Sequence, residues 1–300
     1  MSAAPAGRPA AGAGLALAVL GAVAFSGKAI IVKLAYRHGV DPVTLLMLRM
    51  AFALPLFVAL AWWAGRGQPA LSGRDWRVVG ALGFSGYYLA SFLDFAGLQY
   101  ITAGLERLIL YLNPTLVLLL GWLLHGQRFG QRQLVALAVS YAGIAVVFGH
   151  EARLEGVHVA LGSALVFASA LSYAIYLVYS GREVQRLGSL RLTGLASTVA
   201  CLLCIGQYLL LRSPADLAAL APPVWWLSLL NATLCTVAPV LMVMMAIERI
   251  GAAATSQAGM VGPISTVLLG VALLGEPLSA WTVAGTVLVL AGVALLARWR

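Results

Sequence analysis

The stretch Ile101–Gly143, ITAGLERLILYLNPTLVLLLGWLLHGQRFGQRQLVALAVSYAG, decides how the whole chain is read. An apolar run carrying Asn113-Pro114 ends in a short loop, His125 to Arg132, and a second apolar run follows. The same pattern returns without a gap 149 residues later, from Ile250 to Gly292. Ten of the paired positions are identical, among them Pro114/Pro263, Gly121/Gly270, Gly126/Gly275 and Gly143/Gly292. Leu and Ala matches carry little weight in so apolar a chain, whereas matched Pro and Gly carry much, because they constrain the backbone. The repeat makes the protein one unit built twice, residues 1–149 and residues 150–300.

Hydrophobic residues make up 62% of the 300 positions and charged residues 10%, with a mean hydropathy of +0.95. A soluble domain carries roughly 25% charged residues. The composition predicts an all-α integral membrane protein whose surroundings are the lipid bilayer. Its length holds about ten spans of ~20 residues with short connections. They are expected near 13–36, 43–64, 76–98, 103–124, 132–149, 157–180, 190–211, 223–246, 252–274 and 278–297. Residues 1–12 read as disordered. The first span is not a cleaved signal peptide, because its run continues past Lys28 and Lys33 to Tyr36 and its loss would leave the first repeat a helix short.

The net charge of +9 does not mark a nucleic-acid binder: the basic residues lie mostly in loops between apolar runs, and no soluble basic domain exists. With the N-terminus inside, twelve Lys and Arg fall in inside segments and three, Arg37, Arg153 and Arg212, in outside segments. This asymmetry predicts cytoplasmic termini in a bacterial inner membrane. Five spans per repeat is an odd number, so the second repeat enters from the opposite side. The expected architecture is ten transmembrane helices in two inverted-topology five-helix repeats, the arrangement many secondary transporters use for alternating access.

Six ionisable residues lie inside spans: Lys28, Lys33, Arg49, Asp94, Glu106 and Arg107, all in the first repeat. Such residues are costly in hydrocarbon and are functional candidates by default. The bland reading is that Lys33, Glu106 and Arg107 snorkel to the interface. An intermediate reading pairs Arg49 or Arg107 with Asp94 to hold the first repeat together. Two aromatic stripes at helical spacing, Phe84, Tyr88, Phe92 and Phe95 in span three and Phe167, Tyr173, Tyr176 and Tyr179 in span six, suit either helix packing or a substrate lining. Tyr111 falls near mid-span. Asn113-Pro114 and Gly262-Pro263 break spans at equivalent positions, and such breaks free backbone carbonyls near transport sites. Asn231, Ser256 and Gln257 are uncharged polar residues near those breaks.

No phosphate loop, catalytic pair or metal-ligand cluster is present, so neither an ATP-driven pump nor an enzyme is expected, and no cofactor. Cys201 and Cys204 share a helix face with no His, Asp or Glu near them in sequence, and read as small apolar residues.

The repeated Pro114, Gly121, Gly126, Ala142, Gly143 and Pro263, Gly270, Gly275, Ala291, Gly292 resemble the signature of the drug/metabolite transporter superfamily, EamA type. Gly275-Glu276 is similar to that family's repeat ending, and the first repeat departs from it with Gln127. Arg49, seven residues after Pro42, matches the family's basic residue at the start of the second span. Within the family the likeness is to bacterial inner-membrane exporters of aromatic and other amino acids, of the YddG type. It implies a central cavity lined by spans one, three, four, six, eight and nine.

The expected function is a secondary exporter of amino acids or related small metabolites. The rivals are a drug or sugar-nucleotide carrier of the same superfamily, and a non-transporting membrane subunit or enzyme. A sugar-nucleotide carrier would want cavity cations from both repeats, and the second has none inside its spans. The expected site is a midplane cavity walled by Tyr88, Phe92, Tyr111, Tyr173 and Tyr176. Lys28 is expected to meet a carboxylate, and Asn113, Asn231, Gln257 and carbonyls freed by Pro114 and Pro263 to add hydrogen bonds. The number of copies in the membrane is left open.

Overall fold

The computed structural model describes residues 8–126, 130–155 and 157–298. Gln127, Arg128 and Arg300, which entered the motif and charge readings, lie outside the described residues, as does the side chain of Ser256. Of the N-terminus expected to be disordered, residues 1–7 are likewise outside, and residues 8–12 form the first turn of a helix.

Among the described residues every regular element is helical. The helices are α1 (Arg8–Tyr36), α2 (Pro42–Gly65), α3 (Gly73–Gly97), α4 (Ala103–Leu124), α5 (Gln131–Glu155), α6 (Val157–Leu187), α7 (Ser189–Leu211), α8 (Pro222–Gly251), α9 (Val261–Leu274) and α10 (Ala280–Arg298). Nine of them are long and apolar enough to cross a membrane, and α9 is a shorter apolar helix. The difference from the expected span 252–274 has a local cause. Gly251 leaves helical geometry (φ 80°, ψ 161°), a short helical stretch follows to Ala258, and a turn at Gly259-Met260 separates it from α9. The first repeat breaks alike, with Tyr111-Leu112 dividing α4 into Ala103–Leu110 and Asn113–His125. In both, the proline lies just after the break, in the first turn of the resumed helix, where its missing N–H costs nothing.

Helix α1 packs on α8 and α9, α6 packs on α3 and α4, α2 on α7, α4 on α9 and α5 on α10. Exchanging each helix for its repeat partner turns α1 on α8 into α6 on α3 and α1 on α9 into α6 on α4, and leaves the other three pairs unchanged. The crossing of α5 and α10 shows the same exchange in detail. A Cβ at Gly143 would sit 2.7 Å from the Gly285 carbonyl oxygen, and one at Gly292, its repeat partner, 2.8 Å from that of Ala136. Only glycine permits such approach, the usual means by which membrane helices pack closely. Helices α3 and α8 each carry a wider π-helical stretch, Gly83–Leu89 and Thr233–Val237, again at matching places.

Large apolar side chains cover the exterior, among them Leu210, Leu123 and Trp226. In water such a surface would aggregate, and in hydrocarbon it is the solvated state. At the α1–α2 connection, Asp41 caps α2 by accepting from the Val43 and Thr44 amides, and Arg212 approaches to 3.4 Å. Burial pushes this carboxyl's pKa up, but the Thr44 side chain and amide and Arg212 outweigh it, and the net shift is downward.

Candidate functional site

The two helix breaks meet at a cavity of about 370 Å³. Its wall comes from α1 (Phe25, Lys28), α2 (Arg49, Met50, Phe57), α3 (Gly86, Tyr87, Ala90, Ser91, Asp94), α4 (Arg107, Leu110, Tyr111, Asn113, Pro114) and α6 (Ser169, Tyr173). Ser197, Thr236, Val240, Met260 and Val293 complete it. The expected spans one, three, four, six, eight and nine all contribute, and α2, α7 and α10 join them.

Lys28, Asp94 and Glu106 come together beside this cavity. Lys28 Nζ lies 2.5 Å from Asp94 Oδ2 and 2.9 Å from Glu106 Oε1. Asp94 and Glu106 are 3% and 0% exposed, so the ammonium and both carboxylates are desolvated together. Asp94 Oδ1 and Glu106 Oε2 have no hydrogen-bond partner. Arg49 is buried, its guanidinium 5.1 Å from the Phe95 ring centre, with Nε and Nη1 unpartnered. Arg107 lies over Tyr111, against Gly262 of the opposite break, with Nε unpartnered. Neither arginine pairs with an acid among the described residues. The suggested Arg49–Asp94 or Arg107–Asp94 pair is therefore replaced by Lys28, the only one of the three cations within reach of both acids.

Beyond this cluster the helix ends are tied together. Lys33 Nζ donates to the Ile101 carbonyl at 2.7 Å and lies 3.7 Å from Glu276 Oε1, which accepts from the Ala103 amide at 2.8 Å. Arg37 donates to the Leu274 carbonyl at 2.5 Å. These bonds join α1 to the start of α4 and the end of α9. Lys33 thus bonds within the protein and Glu106 is wholly buried beside Lys28, so in place of the expected snorkelling each of these two meets a protein partner.

The proline breaks also differ from expectation. Each proline frees the carbonyl four residues back. For Pro114 that is Leu110, which accepts from Asn113 Nδ2 at 2.7 Å, and for Pro263 it is Gly259, which accepts from the Tyr111 hydroxyl. Both freed carbonyls already have a donor from the protein.

Of the expected lining, Lys28, Tyr111, Asn113 and Tyr173 reach the cavity. Tyr176 stands behind Tyr173, the rings 5.4 Å apart, and its hydroxyl meets that of Tyr87 at 3.1 Å. Tyr88 packs on Phe84, and with Phe92 it joins the apolar cluster of α1, α2, α7 and α8. Asn231 is fully buried away from the cavity with both amide atoms unpartnered, and Gln257 is exposed. Tyr88 and Phe92 miss because the cavity face of α3 runs through Tyr87, Ser91 and Asp94, one residue round the helix. The intramembrane acid was the available signal: counting back from Asp94 by three and seven selects Ser91 and Tyr87.

The sequence model of the EamA-like transporter family matches the chain twice, over residues 12–149 and 160–298. The chain belongs to the EamA-like transporter family. This EamA-like protein is 31% identical over 291 residues to the uncharacterized transporter YcbK of Bacillus subtilis (strain 168), covering 92% of this chain and 89% of that one. It is 24% identical over 273 residues to an uncharacterized transporter of Archaeoglobus fulgidus, covering 90% and 92%. A solved crystal structure with 20% identity superposes with a TM-score of 0.63 over 95% of this chain and 98% of that one, and so shares the fold. The protein is a multi-pass membrane transporter of the drug/metabolite transporter superfamily.

Proposed function

We propose that this EamA-like transporter is a secondary exporter of amino acids, aromatic and other apolar ones above all, in a bacterial inner membrane. Residues 1–149 and 150–300 act as inverted repeats that alternate access to one cavity. The reciprocal helix pairings, the matched breaks and the twofold family match support that reading.

The observation that carries the substrate class is that residues lining the cavity hold opposite, unpartnered functions. Arg49 and Arg107 offer unpartnered guanidinium N–H groups, and Asp94 offers an unpartnered carboxylate oxygen. Tyr87, Tyr111 and Tyr173 add aromatic rings to the same wall. A zwitterion with an apolar side chain satisfies all three, and a cavity of about 370 Å³ fits a small metabolite. The carboxylate goes to the arginines rather than to Lys28, whose ammonium already serves two carboxylates. Buried N–H groups left unfilled are costly, so a ligand that fills them gains selectivity over one that does not. A sugar-nucleotide carrier is less well supported, since all three cavity cations come from the first repeat.

The test is ligand-dependent thermal stabilisation of the full chain in lipid-containing detergent. Phenylalanine is compared with phenethylamine, which lacks the carboxylate, and with 3-phenylpropionate, which lacks the amine. Stabilisation by phenylalanine alone, weakened more by Tyr87→Ala than by Tyr88→Ala, is expected. Stabilisation by phenylpropionate alone points to an organic anion and contradicts the amino-acid reading.

A further inference from the structure

We infer that Lys28, Asp94 and Glu106 form a proton-binding site, and that a proton held there is exchanged for the ammonium group of the substrate. The exchange rests on the amine-bearing substrate proposed above, while the proton site stands on geometry alone.

The geometry is two carboxylates sharing one ammonium. Nζ of Lys28 is 2.5 Å from Asp94 and 2.9 Å from Glu106. With both acids ionised the trio carries one negative charge too many, in a place where an uncompensated charge costs several kcal/mol. Among the described residues no other cation contacts either acid. Lys33, further along α1, is turned to Ile101 and Glu276. On α1, Tyr36 donates its hydroxyl to the Phe95 carbonyl. Arg49 of α2 lies against the Phe95 ring, and Arg107 of α4 against Tyr111 and Gly262. From α8 the thiol of Cys235 approaches, beside Gly27. Arg49 and Arg107 act on the acids only through space, and a proton neutralises the trio itself. Two buried carboxyls that cannot both ionise titrate as a pair, with one proton shared between them. The proton belongs on Glu106, which is fully buried and whose Oε2 is without a partner. Asp94 keeps its contact with Lys28.

Exchange follows from Asp94 belonging to both sets. Its Oδ2 holds Lys28, and its unpartnered Oδ1 belongs to a residue that lines the cavity. When a substrate ammonium reaches Oδ1, two ammonium groups face two carboxyls. The O–H bond of Glu106 then breaks, its electron pair stays on the oxygen, and the proton leaves to the water on whichever side the cavity is open. At the trio one positive charge enters and one leaves, so the charge there is unchanged, while the substrate's carboxylate goes to the arginines. Proton and substrate thus exclude each other, the condition for obligatory exchange.

Two measurements on the full chain in lipid decide it. The first follows the protonated-carboxyl stretch by infrared difference spectroscopy as pH is raised, without any substrate. A band that titrates in the wild type and is missing in Glu106→Gln is expected. If Glu106→Gln does not fold, a shifted band in Glu106→Asp serves the same purpose. Absence of any band that responds to these substitutions overturns the proton site. The second adds phenylalanine to lightly buffered protein and reads proton release with an indicator dye, with about one proton per bound molecule expected. A titrating band with binding but no release overturns the exchange. If phenylalanine does not bind at all, the substrate reading fails while the infrared result still decides the proton site.

Discussion

Gly285 sits where α10 crosses α5, and replacing it with Ala tests the packing that joins the two halves. A Cβ there lies 2.6 Å from the Gly143 carbonyl oxygen and 2.3 Å from Val147 Cγ2, against ordinary contact from 3.4 Å. The shortfall to the oxygen is 3.4 − 2.6, or about 0.8 Å, and a backbone oxygen cannot rotate out of the way. The two helices must therefore part. A gap of about 0.5–1 Å forfeits roughly a quarter to a half of each dispersion contact along the crossing. Overpacking of this kind costs about 1–3 kcal/mol. Gly149→Ala on α5 is the control: nothing lies within 4 Å of its added Cβ, and the helical backbone gains ~0.5–1 kcal/mol from losing a glycine. Reversible unfolding in mixed lipid–detergent micelles, followed by tryptophan fluorescence, compares the two. Gly285→Ala should be less stable than wild type and Gly149→Ala equal to it or more stable. Equal shifts in the two variants would refute the close crossing.

Three further outcomes follow from the same contacts. Tyr111→Phe removes the side-chain donor to the Gly259 carbonyl, which keeps the Gly262 amide, and the lost hydrogen bond should cost about 0.5–1.5 kcal/mol in the same unfolding assay; an unchanged midpoint contradicts the bond. Glu276→Ala loses both the acceptor for the Ala103 amide and the charge facing Lys33, whereas Glu276→Gln keeps the acceptor, so Ala should cost about 0.5–2 kcal/mol and Gln clearly less; equal losses contradict the capping role. An impermeant thiol reagent applied outside cells should label Arg153→Cys and miss Arg74→Cys and Arg186→Cys, against a silent background because Cys201, Cys204 and Cys235 are buried; the reverse pattern inverts the topology.

How far the sequence carried depends on what each feature needs. The repeat, the paired breaks and the membrane class were legible, since Pro114/Pro263 and the matched glycines act through the backbone at their own positions. The cavity's composition was partly legible. Lys28, Asp94 and Arg107 stood out because intramembrane charge is rare. Their pairing did not, because it depends on how α1, α3 and α4 rotate against one another, which one span's sequence does not encode. The wall of α3 was read one residue off, through Tyr88 instead of Tyr87. The aromatic stripe there reports packing on neighbouring helices, while the face of Asp94 reports the cavity. The π-helical stretch Gly83–Leu89 further upsets the regular period that such stripes assume. The freed carbonyls of Leu110 and Gly259 were legible as positions but not as occupied, since their donors, Asn113 and Tyr111, are supplied by the fold.

Counterflow in liposomes tests the central claim most directly. The full chain is reconstituted into vesicles loaded with unlabelled phenylalanine, and uptake of radiolabelled phenylalanine is followed with no other gradient present. The account predicts transient accumulation that unlabelled leucine competes away, and its loss in Arg107→Gln at normal expression and folding, because the substrate carboxylate then has a guanidinium fewer to meet. Uptake by Arg107→Gln at the wild-type rate, or no counterflow of any apolar amino acid by the wild type, contradicts it.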